Sequence, residues 1–170
     1  MIARTKKQEK TIWGPALLLL IISIFTLLAV ATRLLANPTA PTTKNKIFAQ
    51  VLVENTVAKH PELEGLGLAT PPPDGHDCVT IADTDPKEIG DKCDQGELMV
   101  MKTGKSTVEK EGDGYDVTLP LHVNGKTIGI IGMDFRLDQK EEGLLDRANV
   151  IAKEIETQIP SKSKLFDAAK

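Results

Sequence analysis

Residue types and motifs that build most catalytic and metal sites are scarce in this sequence. Its three histidines, His60, His76 and His122, fall in different predicted elements, and no G-x-S-x-G or H-E-x-x-H phrase occurs. No serine stands in a sequence context that supplies a general base. The sequence therefore predicts a non-catalytic protein, with no catalytic residue and no cofactor.

Positive charge is also scarce once the N-terminal region is set aside. Five of the 21 Lys and Arg residues, but only one of the 24 Asp and Glu residues, lie in the first 36 positions. The remainder carries 16 basic against 23 acidic side chains, and only Arg136 and Arg147 are arginines. A surface of this sign repels nucleic acid and anionic lipid, so we expect no nucleic-acid partner.

A stretch without charged residues runs from Thr11 to Thr32 and is apolar almost throughout. As a helix it would be about 33 Å long, which matches the roughly 30 Å core of a bilayer. Basic residues precede the run and only Arg33 follows closely, which keeps the N-terminus in the cytoplasm. We therefore expect a single-pass protein of the cell inner membrane with a periplasmic C-terminal domain. Ala29–Ala31 also fits the A-x-A cleavage pattern, so the sequence leaves open whether the anchor is retained or removed.

The predicted division of the chain follows from this anchor and from the composition around it. The segment after the anchor is rich in Pro and Thr, as is typical of a short tether, and the residues from Pro160 onward show no pattern. The expected segments are a basic cytoplasmic N-terminus, a transmembrane anchor, a linker, a folded domain and a flexible tail, at 1–10, 11–34, 37–45, 46–159 and 160–170.

The two cysteines, Cys78 and Cys93, both fall in the part expected to be exported. An oxidising compartment lets them form a disulfide, and closing a loop of about 15 residues stabilises a fold by about 3 kcal/mol. Two free thiols are the alternative. A metal site that adds His76 lacks C-x-x-C or H-x-x-x-H spacing, so no metal is expected.

Hydrophobic spacing predicts helices at both ends of the folded domain and strands between them. The segment "KNKIFAQVLVENTVAKH" has apolar pairs at helical spacing, and a last helix has Asp138 as candidate N-cap and Pro160 as its end. The phrases "LEGLGLAT", "DCVTIAD" and "STVEKEG" predict strands, and "QGELMVMKTGK" predicts a short helix. Helices gathered against an antiparallel sheet make an α+β fold.

The segment "YDVTLPLHVNGKTIGIIGMDF" predicts a β-hairpin whose two-residue turn is Asn124-Gly125, because such a turn needs positive φ at both positions. A regular register from this turn sets Tyr115 opposite Asp134, on the same side as the apolar pairs. A phenol and a carboxylate beside apolar residues suit a pocket for a small polar ligand. The alternative is a strand end in solvent, with Asp134 capping the next loop.

The phrases "TIADTDPKEIG" and "PLHVNGKTIGIIGMDF", behind a predicted membrane anchor, resemble the extracytoplasmic PAS-like sensor modules called Cache domains. The resemblance covers residues 44–135. It implies a PAS-like central antiparallel sheet with a long N-terminal helix and a C-terminal helix. It also implies a ligand held between one face of the sheet and the short-helix region.

In amino-acid receptors of this family, the aspartate that closes the last strand binds the ligand's amino group and a tyrosine of the hairpin assists. The resemblance places these roles on Asp134 and Tyr115. The Arg-x-Trp-Tyr cluster that binds the ligand carboxylate is missing here, since Trp13 is the only tryptophan. The expected ligand is therefore a small polar molecule such as an amine or an amino acid, with only the amine half supported.

The predicted function is that of a membrane-anchored, non-catalytic sensor or ligand-binding domain. It would signal through a membrane partner or through its single anchor helix. The alternative is a structural or protein-interaction domain of the cell envelope without a small-molecule ligand. The position of Asp134 separates the two, because a buried carboxylate without a cation has its charged form disfavoured and a ligand amine would relieve it.

Overall fold

The computed structural model describes residues 46–112, 114–136, 138 and 141–169. The predicted basic N-terminus, membrane anchor and linker, at 1–10, 11–34 and 37–45, lie outside these residues. Within the described ranges, no helix is both long and apolar enough to cross a membrane.

The described chain contains three α-helices, five strands and one short 3-10 helix. Their order is α1 (Phe48–Lys59), β1 (Leu63–Thr70), β2 (Val79–Asp83), α2 (Gln95–Thr103), β3 (Thr107–Glu111), β4 (Gly114–Val123), β5 (Lys126–Arg136), α3 (Leu144–Thr157) and a 3-10 helix (Lys162–Phe166). The strands form one sheet in the order β2-β1-β5-β4-β3, and every neighbouring pair is antiparallel. The predicted α+β class with a central antiparallel sheet is confirmed.

The two faces of the sheet are covered very differently. One face carries the large core, in which side chains of β1, β4 and β5 pack against α1, α3 and the 3-10 helix. The other face has a small cluster around Ala69, Cys78, Val100 and Ile130, where α2 packs. Among the described residues, no helix covers the rest of that second face, and the candidate site lies there.

The hairpin turn forms as predicted, but the predicted register of the strands beyond it is wrong. Asn124 and Gly125 have φ values of 53° and 73°, and Val123 pairs with Lys126. A bulge then shifts the pairing after His122, so that Tyr115 lies opposite Phe135 and Asp116 opposite Asp134. A shift of one residue exchanges the two faces of a strand, so Tyr115 and Asp134 do not share a face.

The C-terminal segment also departs from the prediction. α3 begins at Leu144 behind Gly143, whose φ is 75°, and not at Asp138. The predicted flexible tail at 160–170 is instead folded, because Leu165 in the 3-10 helix is fully buried in the large core. The chain then pairs with the residues just before α1, where the Ala169 amide donates to the Lys46 carbonyl at 2.7 Å. The folded domain therefore extends to residue 169.

Two histidines join α3 to the rest of the domain. His60 contacts Glu62 at 3.0 Å and Glu154 at 3.2 Å, and His122 contacts Glu156 at 2.9 Å. Burial would lower the pKa of His60, but the hydrogen bonds to the two glutamates outweigh it and the pKa is raised. Both histidines therefore have structural partners on α3.

Candidate functional site

A cavity of about 660 Å³ opens on the face of the sheet that α1 and α3 leave uncovered. Its floor is formed by β1 and by the open ends of β4 and β5. Its wall is formed by the end of β2, the turn after it, and the start of α2. The lining residues include Gly65, Gly67, Asp83, Asp116 and Asp134.

Glycines create the space above the floor. Gly67 and Gly132 lie directly opposite each other on β1 and β5. A side chain at Gly132 would meet no heavy atom within 4 Å, so the space above this residue is open. A sheet face without side chains at neighbouring positions allows another group to approach the backbone closely.

Two carboxylates fold over β1 from opposite sides. A side chain at Gly65 would collide with the Asp134 carboxylate, and one at Gly67 would collide with the Asp83 carboxylate. Gly65 and Gly67 are two residues apart on the same face, so these positions lie about 7 Å apart along the strand. The open position at Gly132 adjoins both. The arrangement therefore aims two anionic groups at one small space.

The charge of the cavity is strongly one-sided. Seven carboxylates line it, and the lining residues that the structure describes include no Lys, Arg or His. Burial raises the pKa of Asp83, although the Asp85 amide donates to its carboxylate at 2.7 Å. Burial likewise raises the pKa of Glu97. Water is thus partly excluded from these acids, which increases their attraction for a cation.

Glu97 also has a structural role at the start of α2. Its amide donates to the Asp94 side chain at 2.8 Å, and the Asp94 amide donates to its carboxylate at 2.7 Å. This reciprocal pair is a capping box, which fixes the first turn of the helix. Gly104, with a φ of 69°, ends the same helix. The cap therefore holds an acidic side chain at the cavity wall.

A disulfide closes the segment that forms this wall. Cys78 and Cys93 are bonded, with their Cα atoms 5.4 Å apart, which confirms the predicted disulfide. The alternatives of free thiols and of a metal site with His76 are wrong, because the bond uses both sulfur atoms. Thr80 adds two backbone bonds inside the closed loop, to Asp91 and to Gly90, both at 2.9 Å. The wall is therefore fixed to β2 at several points.

The two predicted ligand residues both line the cavity, but in different ways. Asp134 lies at its open side over Gly65, and the residue is exposed. Tyr115 lines it from the start of β4 and also packs partly against the large core. Their role in ligand binding stays a prediction.

Sequence reasoning missed Asp83 and Asp116 as cavity residues. Asp83 was the last residue of a predicted strand, and only the alternate glycines in "LEGLGLAT" indicated that a neighbour needed their space. Asp116 was missed because the hairpin bulge, which was not predicted, brings it opposite Asp134.

No protein-family model matches the chain, and no curated protein matches it. Solved structures with similar folds include a GAF domain of A. aeolicus Nlh2, with 15% identity over 80% of this chain and 93% of that one, at a TM-score of 0.49. The GAF domain of a sensor histidine kinase from Bacillus halodurans has 10% identity over 68% and 91%, at 0.48.

An enzyme is also among these similar structures. A free methionine-R-sulfoxide reductase from Thermoplasma acidophilum has 14% identity, covers 69% of this chain and 92% of its own, and gives a TM-score of 0.48. Likeness at this level does not decide function. The sheet order of the chain itself supports a PAS-like α+β fold, and membership of the Cache family stays a prediction.

Proposed function

We propose that the domain is a non-catalytic sensor module whose cavity binds a small cationic ligand, an amine above all. The observation that carries this proposal is the convergence of the Asp83 and Asp134 carboxylates over Gly67 and Gly65. A primary ammonium group has three N–H donors, so it suits oxygen atoms that approach one space from two sides.

An amine fits the cavity better than an amino acid does. A ligand carboxylate needs a cation or several N–H donors, and the described lining residues offer acidic groups in place of a cation. A hydrogen bond to a charged group contributes about 1.5–3 kcal/mol, and of the two aspartates Asp83 is the more buried. A short diamine can use both aspartates, because its two ammonium groups span a distance comparable to the separation of Gly65 and Gly67.

We also propose that the domain is periplasmic and attached to the inner membrane through residues 11–34. α1 begins shortly after the predicted linker, so a change in the domain would reach the anchor or a membrane partner through this helix. Fusion of a periplasm-active reporter to the C-terminus tests the location. Reporter activity is expected, and an active cytoplasmic reporter at the same position would contradict it.

The alternative is a protein-interaction domain of the cell envelope. The observation in its favour is the exposure of three apolar side chains within two residues of cavity-lining positions: Ile89, Leu98 and Met99 are 43%, 41% and 57% exposed. In α2, which carries Leu98 and Met99, Val100 is the buried residue. A partner protein would cover these side chains without needing the cavity.

A thermal-shift screen of the full-length chain separates the two functions. Putrescine, cadaverine, methylamine, glycine and succinate are compared at neutral pH. We expect the amines to raise the melting temperature and succinate to have no effect. Asp134→Asn keeps the shape of the side chain and removes its charge, so it should abolish most of the rise.

The matched control is Asp74→Asn, which removes one charge from an exposed loop outside the cavity lining. It should keep the full response to amines. An equal response in Asp134→Asn, or a response to none of the amines in the wild-type chain, contradicts the proposed function.

A further inference from the structure

Gln50, in the first turn of α1, forms two hydrogen bonds with the backbone of the cavity residue Asp83. Its Nε2 donates to the Asp83 carbonyl at 2.9 Å, and the Asp83 amide donates to its Oε1 at 3.2 Å. A side-chain amide that uses both its donor and its acceptor on one residue imitates the pairing of a neighbouring strand.

The location of this pair at the sheet edge explains why the amide is needed. β2 is an edge strand, and the Thr84 amide donates to the Leu66 carbonyl of β1 at 3.1 Å. Alternate residues of an antiparallel strand turn their polar groups to opposite sides, so those of Asp83 point away from β1. Farther along the same edge, Thr80 is paired by the segment that the disulfide closes. Gln50 therefore supplies the partner that the end of β2 otherwise lacks.

The pair also connects the two faces of the sheet. α1 packs in the large core, on the face opposite the cavity. The carboxylate of Asp83 lies in the cavity over Gly67, while its backbone is held by α1. Gln50 continues the connection along the helix, because its Nε2 also donates to Glu54 at 3.3 Å. Glu54 in turn pairs with Lys46, just before α1, at 2.8 Å.

We propose that Gln50 is a positioning residue that fixes the Asp83 carboxylate in the cavity and couples occupation of the cavity to α1. This inference rests on the proposed function, since it assigns the regulation of the same site. A ligand ammonium bound to Asp83 would reduce the motion of the end of β2. Through the two hydrogen bonds of the Gln50 amide, it would also reduce the motion of the first turn of α1. Side-chain contacts then continue from Gln50 through Glu54 to Lys46, the first residue that the structure describes.

The first experiment uses no ligand. The Asp83 carboxyl is titrated by carbon-detected NMR in the full-length chain and in Gln50→Met, which keeps the length of the side chain but has no amide. We expect the Asp83 pKa to fall toward its ordinary range in the variant, because the freed strand end admits water. Asn55→Met is the matched control, since Asn55 is an exposed amide on the same helix. An unchanged Asp83 titration in Gln50→Met overturns the positioning role.

The second experiment adds putrescine and measures affinity by calorimetry and hydrogen exchange of α1 by mass spectrometry. Gln50→Met should bind roughly five- to tenfold more weakly, the equivalent of about one net hydrogen bond. At saturating putrescine, α1 amides should be protected in the wild-type chain and in Asn55→Met, but not in Gln50→Met. A merely structural role would not remove this ligand-dependent protection.

The outcomes distinguish the two proposals. Equal affinity and equal protection in Gln50→Met overturn the coupling even though the cavity binds amines. A wild-type chain that binds no putrescine overturns the proposed function and the coupling together. The ligand-free titration of Asp83 still decides whether Gln50 positions that carboxylate.

Discussion

Replacing Gly67 with alanine tests whether the Asp83 carboxylate belongs to a binding cavity. The new methyl group would occupy the place where the carboxylate now lies, so the Asp83 side chain has to rotate away. Alanine in a strand gains about 0.4–1 kcal/mol through the unfolded chain, and a displaced rotamer costs about 0.5–1.5 kcal/mol. The two effects nearly cancel, so the free energy of unfolding should stay within about 1 kcal/mol of wild type.

Ligand binding should respond much more strongly than stability. Loss of one charge-assisted contact of about 1.5–3 kcal/mol corresponds to a roughly ten- to hundredfold weaker affinity for putrescine. The assays are urea unfolding and titration calorimetry on the full-length chain. Gly132→Ala is the control for stability alone, because its methyl group enters open space and leaves both carboxylates in place. It should unfold no more easily than wild type.

Two results would refute this reasoning. Unchanged putrescine affinity in Gly67→Ala would show that the Asp83 carboxylate contributes nothing to binding. A loss of more than about 3 kcal/mol of stability would show that the glycine is required for packing, since that exceeds the usual cost of an overfilled site.

Three further changes test the fold around the cavity. Gly129→Ala should lower the free energy of unfolding by about 1–3 kcal/mol in urea, because its methyl group would meet the Ala69 backbone carbonyl, which cannot rotate away; a neutral effect would contradict the tight strand contact. Replacing both Cys78 and Cys93 by alanine should lower the free energy of unfolding by about 3 kcal/mol in the same assay, and the far-UV circular dichroism should remain that of a folded chain. An unfolded chain would show that the large core does not fold without the disulfide. His60, whose pKa is raised by two glutamates, should contribute stability that is complete below about pH 6.5 and lost as pH rises through the raised pKa. Urea midpoints measured against pH should therefore converge with those of His60→Gln at high pH, and a constant difference would refute the ion pairs.

Local patterns predicted most elements because their signals are short-range. "LEGLGLAT" matches β1 at Leu63–Thr70, and the helix predicted in "KNKIFAQVLVENTVAKH" forms as α1 at Phe48–Lys59. The Asn124-Gly125 turn also forms, since few residues tolerate its positive φ values. These features depend on backbone preferences that each residue carries with it.

The register of the hairpin could not be predicted in the same way. The bulge after His122 inserts one residue into β5 and changes the pairing of every residue beyond it. Because one residue of shift exchanges the faces, Asp116 and Asp134 became neighbours while Tyr115 moved toward the core. The burial of Leu165 was equally hidden, since it depends on a distant helix that its own surroundings do not indicate.

Of the two aspartates that converge on the cavity, Asp134 was named by the hairpin pattern and by a family resemblance, and its role stays a prediction. Asp83, which lies on a strand at the other side of β1, was not named. Only the sheet order β2-β1-β5 brings the two carboxylates over the same strand. The alternate glycines of β1 were visible in the sequence, but the groups that fill their space were not.

Calorimetric titration of the full-length chain with putrescine at neutral pH, alongside Asp83→Asn, Asp134→Asn and the double variant, tests the cavity most directly. We expect one binding site in the wild-type chain, weaker binding in each single variant and no measurable binding in the double variant. All four chains should keep the same far-UV circular dichroism. Equal affinity in the wild-type chain and the folded double variant, or no binding to the wild-type chain, would contradict the account.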